Sequence, residues 1–377
     1  MRTPIADTFG IEFPIFAFSH CRDVVAAITN AGGFGVLGAA AFLPEELEIE
    51  LAWIDDHVGG KPYGVDVLMP ASSMLDAGVE LGGIAEQLTT MIPDGHRRFV
   101  DDFLARHDVP ALPDGVEPAK RFLGLTHQGA RSQLEIALAH PVSLVVNALG
   151  PPPADVVELV HGRGIKVGAL VGSAAHAVKQ IDNGVDVLVA QGTEAGGHTG
   201  EITSMVLIPE VVEAVHPAPV LAAGGIGTGR QVAAAMALGA QGVWTGSIWL
   251  TVRESDTPPA LMEKLLAARS NETVRSRSWS GKPIRMLRTA WSEAWDGPDS
   301  PGALPAPLQA VLFEEAAQRI LRSKAADLSG TPVGQIVGRM NAIRSARDVF
   351  FDLIDEYLKT VSELADLTDL DDGSGAR

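Results

Sequence analysis

The sequence is poor in cysteine, in positive charge and in long apolar runs. Its 377 residues include one cysteine, Cys21, which excludes an internal disulfide framework and a cysteine-rich metal site. Lysine and arginine number 29 against 47 aspartate and glutamate, and the formal charge of −18 disfavours binding to nucleic acid or anionic membranes. No run reaches the roughly 18 apolar residues of a membrane span, and the N-terminus does not resemble a signal peptide. These absences predict a cytoplasmic protein without nucleic acid or membrane partners.

Composition and spacing narrow the class further. Hydrophobic residues make up 46% of the chain and charged residues 20%, the balance of a folded globular protein with one large or two moderate domains. No His-x-x-x-His pair, Cys-x-x-Cys pair or carboxylate cluster occurs at ligand spacing, so no metal centre is predicted.

Apolar runs alternate with helical patterns along much of the first 250 residues. Runs at 13–18, 34–38 and 63–68 predict three strands, with helices at 23–30 and 44–57 between them. The alternation resumes at residue 142. The five later strands are predicted at 142–147, 165–169, 185–189, 219–223 and 242–245. Eight strands with helical crossovers predict an α/β fold of the (βα)8 TIM barrel type.

Two stretches depart from this alternation. Residues from about 70 to 128 contain several prolines and two Asp-Gly turns, which predicts an insertion after the third strand of a barrel spanning 1–250. Beyond residue 250 the patterns are helical, so 251–365 is expected to form a helical cap and the closing helix of the barrel. The acidic stretch 366–377 predicts a disordered tail.

A glycine-rich loop follows the sixth predicted strand. It reads Ala190-Gln191-Gly192-Thr193-Glu194-Ala195-Gly196-Gly197-His198-Thr199-Gly200. Glycines let the backbone approach a flat or bulky group, and His198 is the one side chain of the loop that titrates near neutrality. A lone histidine after a strand is more often a packing or surface residue. The flanking glycines favour a ligand-binding loop with a proton-handling histidine.

A second glycine-rich turn, Ala222-Ala223-Gly224-Gly225-Ile226-Gly227-Thr228-Gly229, connects a strand to a helix. Amides at a helix N-terminus attract phosphate, although a plain strand-to-helix turn is the alternative interpretation. The next strand ends in Trp244-Thr245-Gly246-Ser247, and loops after strands seven and eight form the recurrent phosphate site of such barrels. Together the turns predict a cofactor with one phosphate. A dinucleotide fingerprint is not supported, because another strand displaces the expected acidic residue.

These motifs resemble the nitronate monooxygenases, formerly called 2-nitropropane dioxygenases, which bind FMN in a (βα)8 barrel. The resemblance covers roughly residues 5 to 345 and is most specific at Gln-Gly-x-Glu-Ala-Gly-Gly-His, a pattern shared with related flavin-dependent enoyl reductases. Further matches are Pro14-Ile15, Ala31-Gly32-Gly33-Phe34-Gly35, Ala222 to Ile226, and Leu304 to Gln309.

The resemblance implies FMN as cofactor and His198 as the catalytic residue facing the flavin ring. It places the other cofactor contacts at the ends of several strands. The implied cofactor-binding residues are Ala17, Phe18, Ser19, Asp66, Gln191, Gly196, Gly197, Ala223, Gly224, Gly225, Gly246 and Ser247. Gly334-Gln335 resembles a late family segment near the site, so Gln335 is a candidate substrate contact, as is His20 at the end of the first strand.

Three positions depart from the family pattern. Ala17-Phe18-Ser19-His20 replaces the usual Ala-Pro-Met or Gly-Gly-Met, Asp66 stands where an asparagine commonly faces the flavin, and Leu170 stands where enzymes best established on nitronates tend to carry lysine. Asp66 either contacts the flavin, caps a helix or pairs with an arginine. His20 is either a second proton donor or anion holder, or a buried histidine bonded to the backbone.

The predicted reaction is oxidation of an alkyl nitronate or related carbon acid with dioxygen. Two alternatives stay open. One is an NAD(P)H-dependent reductase or dehydrogenase of the same fold, acting on a quinone, enone or acyl thioester. The other is a non-catalytic flavin-binding barrel, against which the presence of His198 beside an intact glycine loop argues.

Overall fold

Eight parallel strands close into a barrel in the computed structural model, which describes residues 1–69, 81–116, 126–323, 325 and 327–367. The barrel strands are β1 (Ile15–Ser19), β2 (Phe34–Gly38), β3 (Gly64–Val67), β4 (Leu144–Asn147), β5 (Lys166–Val171), β6 (Val187–Gln191), β8 (Val220–Ala223) and β9 (Gly242–Thr245). A short strand, β7 (Gly197–His198), lies outside the barrel. The ring closes between β1 and β9, where Ala17 pairs with Thr245. This arrangement confirms the predicted (βα)8 barrel.

Helices connect the strands and cover the outside of the barrel. The crossover helices are α2 (Arg22–Asn30), α3 (Pro44–His57), α6 (His127–Ala137), α7 (Ala154–His161), α8 (Ala174–Asp182), α9 (Ser204–Val215) and α10 (Gly229–Ala237). The remaining helices are α1 (Pro4–Phe9), α4 (Leu81–Thr90), α5 (Asp94–Arg106), α11 (Pro259–Ala267), α12 (Ala290–Asp296), α13 (Leu308–Ser323) and α14 (Ala346–Asp366). Within the described ranges, no helix is both long and apolar enough to cross a membrane.

Helix α9 begins earlier than the sequence predicts. The sequence predicts a helix near 209–215, and proline fits the first turn of a helix better than its interior. The helix in fact begins at Ser204. The Glu194 carboxylate accepts hydrogen bonds from the Ser204 backbone N–H (3.0 and 3.1 Å to its two oxygens) and from the Ser204 hydroxyl (2.9 Å). A carboxylate at a helix N-terminus stabilises the first turn, so a tertiary contact sets this boundary.

Aromatic side chains fill the lower half of the barrel. Helix α1 closes the amino-terminal end of the barrel with Phe9, whose ring contacts Phe34 at a centroid distance of 4.9 Å. Phe34 in turn lies 4.8 Å from Phe16, and both are fully buried. Trp244 continues this column toward the carboxyl ends of the strands, with its ring 6.5 Å from Phe16. Space for a ligand is therefore confined to the carboxyl ends of the strands, where TIM barrels carry their active sites.

The insertion and the C-terminal region share a second apolar cluster. Phe103 of α5 packs edge-on against Trp291 of α12 at a centroid distance of 5.4 Å, and Trp291 also contacts Phe313 of α13. Trp291 and Trp295 are 1% and 4% exposed, so both belong to the core of the cap. Parts of the predicted insertion (70–80 and 117–125) and of the predicted tail (368–377) lie outside the described residues.

The region after residue 250 is not helical throughout. Strands β10 (Thr273–Ser276) and β11 (Ile284–Leu287) form an antiparallel pair, and β7 joins them as the third strand of a small sheet. Ile284 pairs with His198, and Arg285 pairs with Gly197. The sequence predicts helices here because each strand has four residues, and Arg275 and Arg285 interrupt their apolar patterns.

Helix α14 takes the place of the eighth barrel helix. It packs between α10 and α2, which are the neighbours expected for a closing helix. The contact with α10 is very close at Gly229. A Cβ atom at that position would lie 2.2 Å from the backbone nitrogen of Tyr357 and 2.4 Å from the carbonyl oxygen of Leu353. The absence of a side chain at Gly229 therefore sets the distance between the two helices.

Replacing Gly229 by alanine should separate α14 from α10 and lower the free energy of unfolding by about 1–3 kcal/mol, the usual cost of overpacking. The matched control is Gly95→Ala in α5, where a Cβ atom would meet no atom within 4 Å. That variant should be neutral or stabilised by roughly 0.5–1 kcal/mol. Denaturant unfolding of both variants measures the difference. Equal stabilities would show that the α10–α14 contact does not hold the barrel closed.

Candidate active site

A cavity of about 410 Å³ opens at the carboxyl ends of the barrel strands. It lies where the sequence places the ligand, and it brings together most of the predicted site residues. The predicted residues that line it are Phe18, Ser19, His20, Asp66, Gln191, Gly196, Gly197, His198, Ala223, Gly224, Gly225, Gly246 and Ser247. The structure thus gathers residues from four barrel strands, from the turns after β1, β8 and β9 and from the β6–β8 connection around one space, while their individual roles stay predictions.

Two predicted site residues do not line this cavity. Ala17 is fully buried between β2 and β9. Gln335 contributes its backbone, because its N–H donates a hydrogen bond to the carbonyl oxygen of Glu194 at 2.9 Å. The next residue, Ile336, does line the cavity. The segment Gly334-Gln335 therefore holds the backbone of the glycine loop at Glu194 without lining the cavity itself.

The two glycine turns after β8 and β9 leave backbone amides free. Gly224 and Gly225 have φ angles of 105° and 69°, a region that favours glycine. Among the described residues, the backbone N–H groups of Gly225, Ile226 and Ser247 have no hydrogen-bond acceptor. The Ser247 hydroxyl oxygen accepts from the N–H of Gly334 at 2.8 Å, which leaves its proton free to donate. These donors suit an anionic group without help from a lysine or arginine.

The N-terminus of α10 itself is already capped. The N–H of Gly229 donates to Glu356 Oε2 at 2.7 Å, and the N–H of Gln231 donates to the Thr228 hydroxyl. Gln231 also holds the preceding turn, because its Nε2 donates to the carbonyl oxygen of Gly225 at 2.6 Å. The sequence assigns phosphate binding to the helix terminus. In the structure the free amides lie in the turn before the helix.

His198 lies on β7 at one side of the cavity. Its Nε2 atom is 2.8 Å from the hydroxyl oxygen of Ser280, in the connection between β10 and β11. Burial, and secondarily the positive charge of Lys282, lowers the pKa of His198 to about 4. The imidazole is therefore neutral at physiological pH, and it is able to accept a proton.

Ser280 is a site residue that sequence reasoning missed. It is 6% exposed, and its hydroxyl also accepts from the N–H of Lys282 at 3.3 Å. This second contact fixes the hydroxyl relative to the His198 ring. The two residues are 82 positions apart. No local signal marks Ser280, because it belongs to a hairpin that the pattern did not predict.

His20 agrees in part with one of the two interpretations left open by the sequence, that of a histidine bonded to the backbone. Its Nδ1 donates a hydrogen bond to the carbonyl oxygen of Gly38 at 2.9 Å, so it is bonded to the backbone. Since a carbonyl can only accept, the proton is on Nδ1 and Nε2 is an acceptor. The ring also lines the cavity and is exposed within it. Its depth in the protein lowers the pKa of His20, although the bond to Gly38 and the charge of Asp256 oppose this effect.

Asp66 has no structural partner in the described part of the chain. It is 4% exposed, its Oδ1 atom makes no hydrogen bond, and it neither caps a helix nor pairs with an arginine. Burial raises the pKa of this carboxyl group well above its usual range.

The rest of the cavity wall is mostly apolar. The apolar contributors include Leu68, Leu170, Trp249, Leu250, Ile284 and Ile336. Leu170, at the end of β5, puts a hydrocarbon side chain where enzymes best established on nitronates tend to carry lysine. Among the described lining residues there is no lysine or arginine. The described lining thus offers neutral polar groups and the carboxyl groups of Asp66 and Asp256, and no permanent positive charge.

This chain is similar in sequence to known proteins over nearly its whole length. The sequence profile described as nitronate monooxygenase matches residues 2–356. Rv1533 of Mycobacterium tuberculosis, provisionally named a monooxygenase, is 54% identical over 375 residues, which cover 97% of this chain and 99% of that protein.

Two solved structures are similar in fold over nearly the whole chain. A nitroalkane oxidase from Streptomyces ansochromogenes has 25% sequence identity and a TM-score of 0.79, covering 96% of this chain and 99% of its own. FabK from Thermotoga maritima has 25% identity and a TM-score of 0.72, covering 97% and 99%. With a profile match over most of its length and a relative of high identity, this chain belongs to the nitronate monooxygenase family.

Proposed function

We propose that this flavin-dependent oxidoreductase uses FMN to oxidise a carbon acid of the nitroalkane and nitronate class, with dioxygen as the electron acceptor. The observation that carries the proposal is the position of His198. A neutral, mostly buried imidazole lies in the same cavity as two glycine turns with free amides. The nitroalkane oxidase with similar structure supports the substrate class.

The residues of the cavity fit FMN. The free amides of Gly225, Ile226 and Ser247 would hold its one phosphate, as expected for the loops after the seventh and eighth barrel strands. Gln191 and Gly197 would lie against the flavin ring, and the unpaired Asp66 offers a further polar contact. When bound, FMN supplies the two-electron acceptor for substrate oxidation and the site of reoxidation by dioxygen.

His198 would remove the proton of the carbon acid. Its low pKa keeps the imidazole unprotonated, so it is ready to act as a general base. The imidazolium that forms would be stabilised by the negative charge that develops on the substrate, and Ser280 would hold the ring in place. Holding a preformed anion by its own charge would require the cationic form of His198, and burial disfavours that form.

The lining also favours a substrate that enters uncharged. An anionic nitronate would be desolvated in a cavity whose described lining has no lysine or arginine, whereas a neutral carbon acid acquires charge only as His198 accepts its proton. Leu170 contributes to this preference because it removes the cation expected at the end of β5. We therefore place the neutral form of the acid first among substrates.

The second candidate is an NAD(P)H-dependent reductase of a quinone, enone or acyl thioester. Leu170 favours it, since the lysine of the established nitronate enzymes is absent. Anaerobic mixing with NADH or NADPH distinguishes the candidates. Rapid bleaching of the flavin by a nicotinamide, without oxygen uptake on nitroalkanes or nitronates, would establish the reductase.

The cofactor assignment predicts a yellow protein that releases FMN, and not FAD, on denaturation. Gly225→Asp should abolish flavin retention, because a carboxylate would face the phosphate. The matched control is Gly164→Asp. Gly164 has a similar φ of 73° against 69° for Gly225, but a Cβ atom there meets no atom within 4 Å, and it does not line the cavity. Flavin absorbance per protein measures retention. Equal loss in both variants would attribute the effect to backbone strain, and release of FAD would overturn the assignment.

His198→Ala should lower kcat/KM for the neutral carbon acid roughly 10²–10⁴-fold while leaving bound flavin nearly unchanged. The loss should be smaller for the preformed nitronate, since no proton is removed. In the wild type, kcat/KM should rise with pH through the His198 pKa of about 4 and become level above it, because the unprotonated form is active. The exposed His176 on α8 provides the control, His176→Ala. Equal losses on both substrate forms would contradict base catalysis.

Ser280→Ala should lower kcat roughly 2- to 12-fold, the rate equivalent of a hydrogen bond of about 0.5–1.5 kcal/mol. Because the hydroxyl contacts His198 directly, the variant should also shift the acidic limb of the pH profile. A general loss of folding would not shift that limb. The half-buried Ser132→Ala on α6 is the control, and unchanged kcat and pH profile in Ser280→Ala would remove this contact from the mechanism.

A further inference from the structure

Asp66 is a buried polar group that the proposed chemistry has not yet used. It lies on β3, paired in register with Gly38 of β2 and Val146 of β4. Its side chain lines the cavity, it is 4% exposed, and its Oδ1 atom is without a hydrogen-bond partner in the described residues. An unpaired buried carboxyl group is costly, so it requires an explanation.

The neighbouring strand shows what a structural polar residue looks like at this depth. Asn147, on β4, is 1% exposed and makes four hydrogen bonds. Its amide oxygen accepts from the N–H groups of Met69 and Leu149, and its amide nitrogen donates to the carbonyl oxygens of Met69 and Gly150. The hydrogen-bonding groups of the Asn147 side chain are thus satisfied within the protein. Asp66 is left available to a ligand in the cavity.

The surroundings of Asp66 disfavour the ionised form. The strands on either side present Gly38 and Val146, neither of which titrates. The other titratable groups that line the described cavity are His20, His198 and Asp256, and burial lowers the pKa of both histidines toward the neutral form. With no cation in contact, burial alone raises the pKa of Asp66. The neutral carboxylic acid is therefore the favoured form of Asp66.

We propose that Asp66 binds the cofactor as a neutral carboxylic acid that donates a hydrogen bond through its O–H and accepts one through its C=O. This inference rests on the FMN assignment above. A protonated carboxyl group and a primary amide both present one donor and one acceptor side by side, so Asp66 matches the asparagine common at this position. Unlike an amide, it can lose its donor by ionising. Cofactor retention in this chain is then coupled to one proton, which an asparagine would not provide.

The test is release of FMN from the holoprotein as a function of pH, followed by flavin fluorescence, in the wild type and Asp66→Asn. Above the pKa of this carboxyl group in the FMN-free protein, wild-type affinity should fall about tenfold per pH unit, because binding requires one proton. Asp66→Asn should keep the low-pH affinity across the range. The FMN phosphate, His20 and His198 titrate in both proteins. Their contributions therefore cancel when the affinity curve of one protein is subtracted from that of the other.

Parallel curves for the two proteins would overturn the proposal. Holoprotein that forms with FMN but shows parallel curves refutes the role of Asp66 and leaves the cofactor assignment intact, whereas failure to bind FMN at any pH refutes both. The curves are compared after circular dichroism has established that Asp66→Asn is folded.

A second readout uses the wild type and does not depend on the variant. The infrared difference spectrum between oxidised and reduced holoprotein near neutral pH should contain the carbonyl stretch of a protonated carboxylic acid, and it should move in D₂O. Absence of this band would overturn the proposal.

The redox potential gives a third readout. The midpoint potential of Asp66→Asn should equal that of the wild type near neutral pH and exceed it only at alkaline pH, where the wild-type carboxylate opposes the negative charge of reduced flavin. A higher potential in the variant at neutral pH would show that Asp66 is ionised.

Discussion

The pairing of β7 with β11 determines the position of His198, and the proposed chemistry depends on it. β7 has two residues, so it has little stability of its own, and it is held by an antiparallel strand almost ninety residues away in the chain. Arg285 of β11 reinforces the pair. Its Nε donates to the carbonyl oxygen of Thr193 at 2.7 Å, and its Nη1 donates to the Thr273 hydroxyl at 3.1 Å. These bonds offset the cost of burying a guanidinium group that is 8% exposed.

The glycine loop needs such anchors because glycine has a high conformational entropy in the unfolded chain. Glu194 holds its other side. The carboxylate binds the start of α9 at Ser204, while the carbonyl oxygen accepts from Gln335. The loop is thus fixed from the barrel, from the hairpin and from the segment before α14. A flexible sequence is given one conformation by three distant contacts, which is the preorganisation that a catalytic loop requires.

Burial shifts the pKa values of Asp66 and His198 in opposite directions, and in both cases the shift favours the neutral side chain. It raises the pKa of Asp66 and lowers that of His198. The phosphate donors are neutral amides, and the described lining includes no lysine or arginine. A chain of formal charge −18 can therefore hold an anionic cofactor through local dipoles alone. Apart from the carboxyl group of Asp256, charge in this lining comes with the ligand or develops during the reaction, where low dielectric makes each interaction stronger.

The sequence by itself determined the barrel strands, the glycine turns and the candidate role of His198, because apolar runs and glycine clusters are local properties of the chain. Tertiary structure decided which groups meet. Ser280 reaches His198 from a hairpin whose short, arginine-containing strands carry no clear period, and Glu356 caps α10 from 127 residues away. Asp66 is the clearest case. An aspartate at the end of a strand is equally compatible with a cap, an ion pair or a ligand contact, and only the absence of any partner in the described fold distinguishes them, since burial and pairing are properties of the surroundings and not of the residue.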